Sequence, residues 1–140
     1  MNKIIFNAVL IGMAALSVPG LSAAPKVLKA VSPSGNIALT LSAGDSICYS
    51  VDRNGVPVVK SATIAMNLSD RTFGVNSKVK SVKRSKVSER LTPAVPLKHS
   101  EIDNSYNSMT VSFNGGYEVE FRVFDNGVAH RFITTGKQPR

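Results

Sequence analysis

Along most of the chain, apolar and polar residues change places at every second position, the period of a strand with one face in a core. Ile37, Leu39 and Leu41 alternate with Ala38, Thr40 and Ser42. A strand over residues 27–31 precedes them, set off by Ser32-Pro33-Ser34-Gly35, in which every residue is a turn former. After Gly44-Asp45 turns the chain, residues 47–51 make the next strand, and Arg53-Asn54-Gly55 carries a hairpin signal. Val56-Pro57-Val58-Val59 returns from it, and Pro57 confines that segment to a sheet edge or a strand start. The same alternation recurs further on. Met109, Val111 and Phe113 lead through Asn114-Gly115-Gly116 into a strand with Tyr117, Val119, Phe121 and Val123 on one side. Glu118, Glu120, Arg122 and Phe124 take its other side. Asp125-Asn126-Gly127 then reverses the chain and residues 128–133 run back as a second row, completing a hairpin.

No window of about 11 residues beyond the N-terminal segment keeps a helical stripe, and Pro93 and Pro96 exclude an interior helix over residues 87–97. Short strands with frequent turns predict an all-β fold, an antiparallel β-sandwich of the supersandwich kind and an incomplete one. The 140 residues allow one domain at most, and 43% apolar content argues against disorder. A single cysteine excludes a disulfide framework.

The N-terminus departs from the strand pattern. Met1, Asn2 and Lys3 precede an apolar run over residues 4–18, Pro19-Gly20 breaks it, and Ser22-Ala23-Ala24 supplies small residues. This predicts a secretory signal peptide over residues 1–23, leaving a domain over 24–140 exported to the periplasm or cell exterior. The run is shorter than the roughly 20 residues that span a bilayer, so no membrane association is expected after cleavage. In an oxidising compartment the lone Cys48 is expected to be a small buried hydrophobe.

The chemistry-bearing residues give little sign of catalysis. Gly44-Asp45-Ser46-Ile47 looks like an esterase nucleophile block, but Asp125 and His130 have the wrong spacing to complete it, and a polar turn is expected. Glu118 and Glu120 lie about 7 Å apart in one strand row. Carboxylates in line on one strand cannot flank a sugar from two sides, so a solvated face ion-paired with Arg122 is expected. His99 and His130 have no second ligand at metal spacing. His130, bracketed by Val128 and Phe132, is expected inside or at an interface with one hydrogen bond.

The basic balance, 17 against 9 and a net +8, concentrates in Lys78, Lys80, Lys83, Arg84, Lys86 and Arg90, opposed there by Glu89 alone. That cluster suits an anionic partner or a lysine-guarded edge strand, and the edge is the expectation. No aromatic lies among these charges, so nucleic acid is not expected as a partner. There is no Trp; Tyr49, Tyr106 and Phe124 are the aromatics placed for a free ring face, and Tyr49 and Tyr106 are the candidate carbohydrate contacts.

Five blocks in order carry a family resemblance: Ser32-Pro33-Ser34-Gly35, Cys48-Tyr49-Ser50-Val51, Gly55-Val56-Pro57-Val58-Val59, Ile102-Asp103-Asn104-Ser105-Tyr106-Asn107, and the run from Phe121 through Phe132. The last is the specific one, with Phe121-Arg122, Asp125, Gly127 and Arg131-Phe132 as its structural motif residues. The series resembles the N-terminal β-sandwich domain of glycoside hydrolase family 97, exported α-glucosidases and α-galactosidases. The resemblance implies a partner: a (β/α)8 barrel that carries the catalytic carboxylates and, in the parent family, an active-site calcium. No catalytic or metal residue of the family falls on a position of this chain, so no cofactor is expected in it. Leu91 stands where the family tends to carry Trp. The expectation is a non-catalytic domain or fragment whose last hairpin offers an apolar flank to a missing neighbour. A stand-alone carbohydrate-binding module for α-glucans or α-galactosides is the alternative.

Overall fold

The computed structural model describes residues 24–95 and 101–135. The expected signal peptide, its cleavage point, His99 and the last five residues lie outside the described residues.

Ten strands make up the fold: β1 (Lys26–Val31), β2 (Ile37–Ala43), β3 (Ile47–Arg53), β4 (Val56–Ile64), β5 (Met66–Asn67), β6 (Thr72–Phe73), β7 (Val79–Leu91), β8 (Ile102–Phe113), β9 (Tyr117–Phe124) and β10 (Gly127–Thr134). They form two four-stranded antiparallel meanders, β1-β2-β3-β4 and β10-β9-β8-β7, with β5-β6 a small ribbon between them in sequence. The two sheets pack face to face, β1 against β8 and β2 against β9. This is the expected antiparallel sandwich.

The core is built as the alternation dictates. Ile37, Leu39, Leu41 and Ala43 of β2 meet Tyr117, Val119, Phe121 and Val123 of β9, with Ile47 and Val51 of β3 and Met109, Val111 and Phe113 of β8 on either side. Phe121 is the largest fully buried side chain. The Arg53-Asn54-Gly55 turn behaves as expected: Asn54 and Gly55 both take positive φ, 51° and 79°, the geometry that lets a two-residue loop follow strand twist. The last hairpin turns differently. Phe124 pairs with Gly127, so Asp125 and Asn126 form the loop, Gly127 is already in β10, and none of the three has a positive φ.

β7 is longer than its sequence suggests. Val79, Val82 and Val87 give no clean alternation, yet the strand runs for 13 residues and all but Lys80 pair with β8. A register shift between Val79 and Ser81 breaks the phase, and apart from the half-buried Val79, Val82 and Val87 its residues are exposed on both faces. The outermost strand needs no apolar row, which is why the pattern fails there.

One end of the sandwich is closed by the connection from β4 to β7. Phe73 stacks on Tyr117 at 4.4 Å between ring centroids, and Tyr117 in turn lies 5.2 Å from Phe113. The buried Tyr117 hydroxyl accepts from the Gly74 N–H at 3.2 Å and shares a 2.6 Å hydrogen bond with Ser77. Gly74 has φ +94°, and a Cβ there would lie 2.5 Å from the Ile64 carbonyl oxygen, so only glycine fits.

Two substitutions test this packing. Phe121→Ala empties the centre of the core and is expected to cost about 3–5 kcal/mol. Tyr117→Phe leaves the Gly74 N–H without its acceptor and is expected to cost about 1–3 kcal/mol. Urea unfolding of each variant measures both.

Candidate functional site

The outer face of the β7–β10 sheet carries the most organised set of polar side chains in the described residues. Register places Lys83, Thr110, Glu120 and Arg131 in one row across all four strands, with Ser85, Ser108 and Arg122 in the next. The Glu120 carboxylate bonds Arg122 Nε at 3.2 Å and also pairs with Arg131, and only 9% of the residue is exposed. Glu118 accepts from Ser112 Oγ at 2.6 Å, and Ser85 and Ser108 share a 2.7 Å hydrogen bond. Farther along, the Arg122 guanidinium lies 4.9 Å over the Tyr106 ring, and Phe124 packs against the same ring at 5.0 Å. These contacts hold Arg122 in one position by charge and by its flat face together.

A second cluster ties the sheets at one end. The Ser34 N–H and Oγ–H both donate to Asp125 Oδ1, at 2.9 and 2.7 Å, and Asn36 Nδ2 donates to the Asp125 carbonyl at 3.3 Å. The β1–β2 turn is thereby joined to the β9–β10 turn of the opposite sheet. The Ser34 hydroxyl, followed by the Ser34 amide, holds the Asp125 carboxyl below its ordinary value. On one flank Arg84 donates to the Lys29 carbonyl and Asn107 Nδ2 to the Val31 carbonyl at 2.8 Å. Both carbonyls belong to β1, an edge strand.

Residues 30–139 match the family described as Glycosyl-hydrolase 97 N-terminal. The chain belongs to the glycosyl-hydrolase 97 N-terminal family. Over 117 residues it is 35% identical to a retaining alpha-galactosidase of Bacteroides thetaiotaomicron, covering 83% of this chain and 18% of that protein. Its fold is similar to a glycoside hydrolase family 97 enzyme of Pseudoalteromonas sp. strain K8, solved in complex with panose. That likeness has a TM-score of 0.67 at 22% identity over 76% of this chain and 17% of the enzyme. A beta-arabinopyranosidase structure gives a TM-score of 0.72 at 23% identity, over 79% and 18% of the two chains. The chain thus spans under a fifth of the length of these relatives.

In this family 97 N-terminal domain the motif residues fall into three places. Phe121 is core, Arg122 and Arg131 clamp Glu120, and Asp125 locks the two turns together. Phe132, on the inner row of β10, packs 6.5 Å from Phe73 and 6.3 Å from Tyr117, while Gly127 opens β10. The Gly44-Asp45-Ser46 block is a turn, as expected, its backbone engaged with Asn76 and Ser77.

Other placements correct the sequence reading. Tyr106 has 8% exposure and both Phe124 and Arg122 against its ring, so it presents no free face. Phe124 is half-buried over it. Tyr49 is half-buried too, 6.0 Å from Phe121 and 5.8 Å from His130. His130 does sit on the inner row of β10, opposite Phe121, but at the sandwich margin, where it is exposed, and its side chain forms no hydrogen bond among the described residues. Cys48 is half-exposed on the outer face of β3, 3.4 Å from Thr63 Oγ1, because its strand phase points away from the core. The row of Glu118, Glu120 and Arg122 is ion-paired as expected but not solvated at Glu120, where two guanidinium groups cover the carboxylate.

A calcium ion needs six to eight oxygen ligands. Among the described residues no three His, Cys, Asp or Glu side chains gather to hold a metal, and the pair on β9 is committed to Ser112 and two arginines. The residues present do not fit that ion.

The Ser34–Asp125 contacts carry no sequence signal beyond two turn-forming residues, and they generate a pH dependence. A carboxyl with a folded pKa below its unfolded value of about 3.9 stabilises the fold above that value and loses the contribution as pH falls through the folded pKa. Melting temperature is therefore expected to fall between pH 5 and the acid limit, and Asp125→Ala is expected to lower it near neutrality while flattening that acid decline. Thermal melts of both proteins across pH check the sign.

Proposed function

We propose that this chain is the non-catalytic N-terminal sandwich domain of an exported family 97 α-glycoside hydrolase, a scaffold that buttresses the catalytic domain and shapes one side of its sugar cleft. The observation that carries the reading is the extent of similarity: a family match over most of this chain that corresponds to 18% of a retaining alpha-galactosidase. The substrate class of the whole enzyme would then be an α-galactoside or α-glucan. Export follows from the leader pattern at residues 1–23.

The geometry supports a structural role for the polar groups. Glu120 is held between Arg122 and Arg131 and Glu118 is bonded to Ser112. A general acid or nucleophile for glycoside cleavage needs a second carboxylate across the sugar, at about 5–9.5 Å. Two carboxylates in one strand row face the same way. A binding module built on Tyr106 would need a free ring, and that ring is packed on by Phe124 and Arg122.

The purified chain, incubated with p-nitrophenyl α-galactoside and α-glucoside with and without calcium, is expected to release no nitrophenol above the buffer rate. Calcium-dependent turnover would overturn the reading.

A further inference from the structure

The outer face of the β7–β10 sheet has features that a buttressing role does not use. Two open recesses, of about 550 and 530 Å³, lie along β7 and β8 and meet at Lys83. Their floor is hydroxyl-bearing: Ser112 in the first, Ser85, Ser108 and Thr110 in the second. Lys80 and Lys83 of β7 line them on one side, and on the other the register sets Arg122 and Arg131 on the same face, beside and beyond Glu120.

The carboxylates on this face offset those cations only in part. Glu120 lines the second recess, but its oxygens are taken up by two arginines, leaving that triad with a net positive charge. Glu118 lines the first and accepts from Ser112. Lys80 and Lys83 form no salt bridge among the described residues. Arg131 keeps 60% of its side chain exposed while it is paired, so its remaining N–H groups face outward.

A row of hydroxyls between two lines of cations matches a ligand that carries its own hydroxyls and regularly spaced negative charge. A bilayer would meet a flat basic surface, whereas Lys80 and Lys83 line a recess. Nucleic acid would call for aromatic stacking, and the one tyrosine on this face is already packed. We propose that this face is a binding groove for an acidic oligosaccharide, Lys83 and Arg131 engaging its carboxylate or sulfate groups and Thr110 its hydroxyls. The site stands independently of the scaffold role: it concerns binding, not hydrolysis.

Calorimetric titration of the full chain at low ionic strength tests it, with tetragalacturonate and sulfated maltotetraose as acidic probes and maltotetraose as the neutral one. The acidic probes are expected to bind, more weakly as salt rises, and maltotetraose to give no heat. Lys83→Ala is expected to weaken binding about tenfold, the loss of one charge-assisted hydrogen bond. Lys83→Gln, which keeps the stem, should do the same, and Lys60→Ala on the other sheet should change nothing. The proposal is overturned if neither acidic probe binds, if Lys60→Ala costs as much as Lys83→Ala, or if phosphatidylglycerol vesicles bind more tightly than either oligosaccharide.

Discussion

Everything in this domain rests on one inner row meeting another: the apolar face of β9 against that of β2. Leu39, Leu41, Val119, Phe121 and Val123 are all fully buried there. Because a strand's side chains alternate with period two, burying this row fixes the opposite row as well, and Glu118, Glu120 and Arg122 are committed to the outer face. The organised polar surface is therefore a consequence of core register. A one-residue slip of β9 would drive Glu120 into the core and Phe121 out of it.

The same packing leaves both sheets with uncovered margins, and the two flanks are handled differently. On the side of β1 and β7, Arg84 and Asn107 reach across to the carbonyls of Lys29 and Val31, so an edge strand's free acceptors are met by the facing sheet. Lysines along β7 then guard the other edge by charge. The flank formed by β4 and β10 is apolar where it opens. Val58 is 65% exposed, and Val59, Tyr49 and Val128 line the cleft beside it. Pro57 removes one donor from the β4 edge, as its place in the sequence suggested.

What the sequence showed was whatever local pattern governs. β2, β3, β9 and β10 could be read because each must bury one row, and the Asn54-Gly55 turn because positive φ at two successive residues selects those types. β7 was poorly legible because a strand with two exposed faces has no row to bury, and β5 and β6 because two residues make no period. Tyr106 misled for a related reason. Alternation correctly put it on the outer face, but its burial comes from Phe124 and Arg122, which reach it from the next strand. The Asp125 clamp was out of reach, since it depends on cross-sheet register between residues 91 apart; of the Glu120 triad the pairing with Arg122 was expected, and the β9–β10 register adds Arg131 to it.

The Glu120 triad also bears on how charge is distributed over the outer face. Holding a carboxylate between two guanidinium groups on a half-buried surface is weakly stabilising at best, because desolvation and side-chain ordering offset most of the attraction. Its stronger effect is positional. With Glu120 oriented toward Arg122 and Arg131, it cannot turn toward Lys83, its neighbour but one in the same row across Thr110. Without that orientation the one carboxylate of the row would stand between the cations Lys83 and Arg131, free to offset either. With it, Glu120 faces the arginines, and Glu118 is the carboxylate that shares a recess with Lys80 and Lys83. Lys83 and Glu120 stand two strands apart, about 9.6 Å at roughly 4.8 Å per strand, beyond the Debye length of about 8 Å in physiological salt, so their attraction across the face is largely screened and the partners of Glu120 are the two arginines.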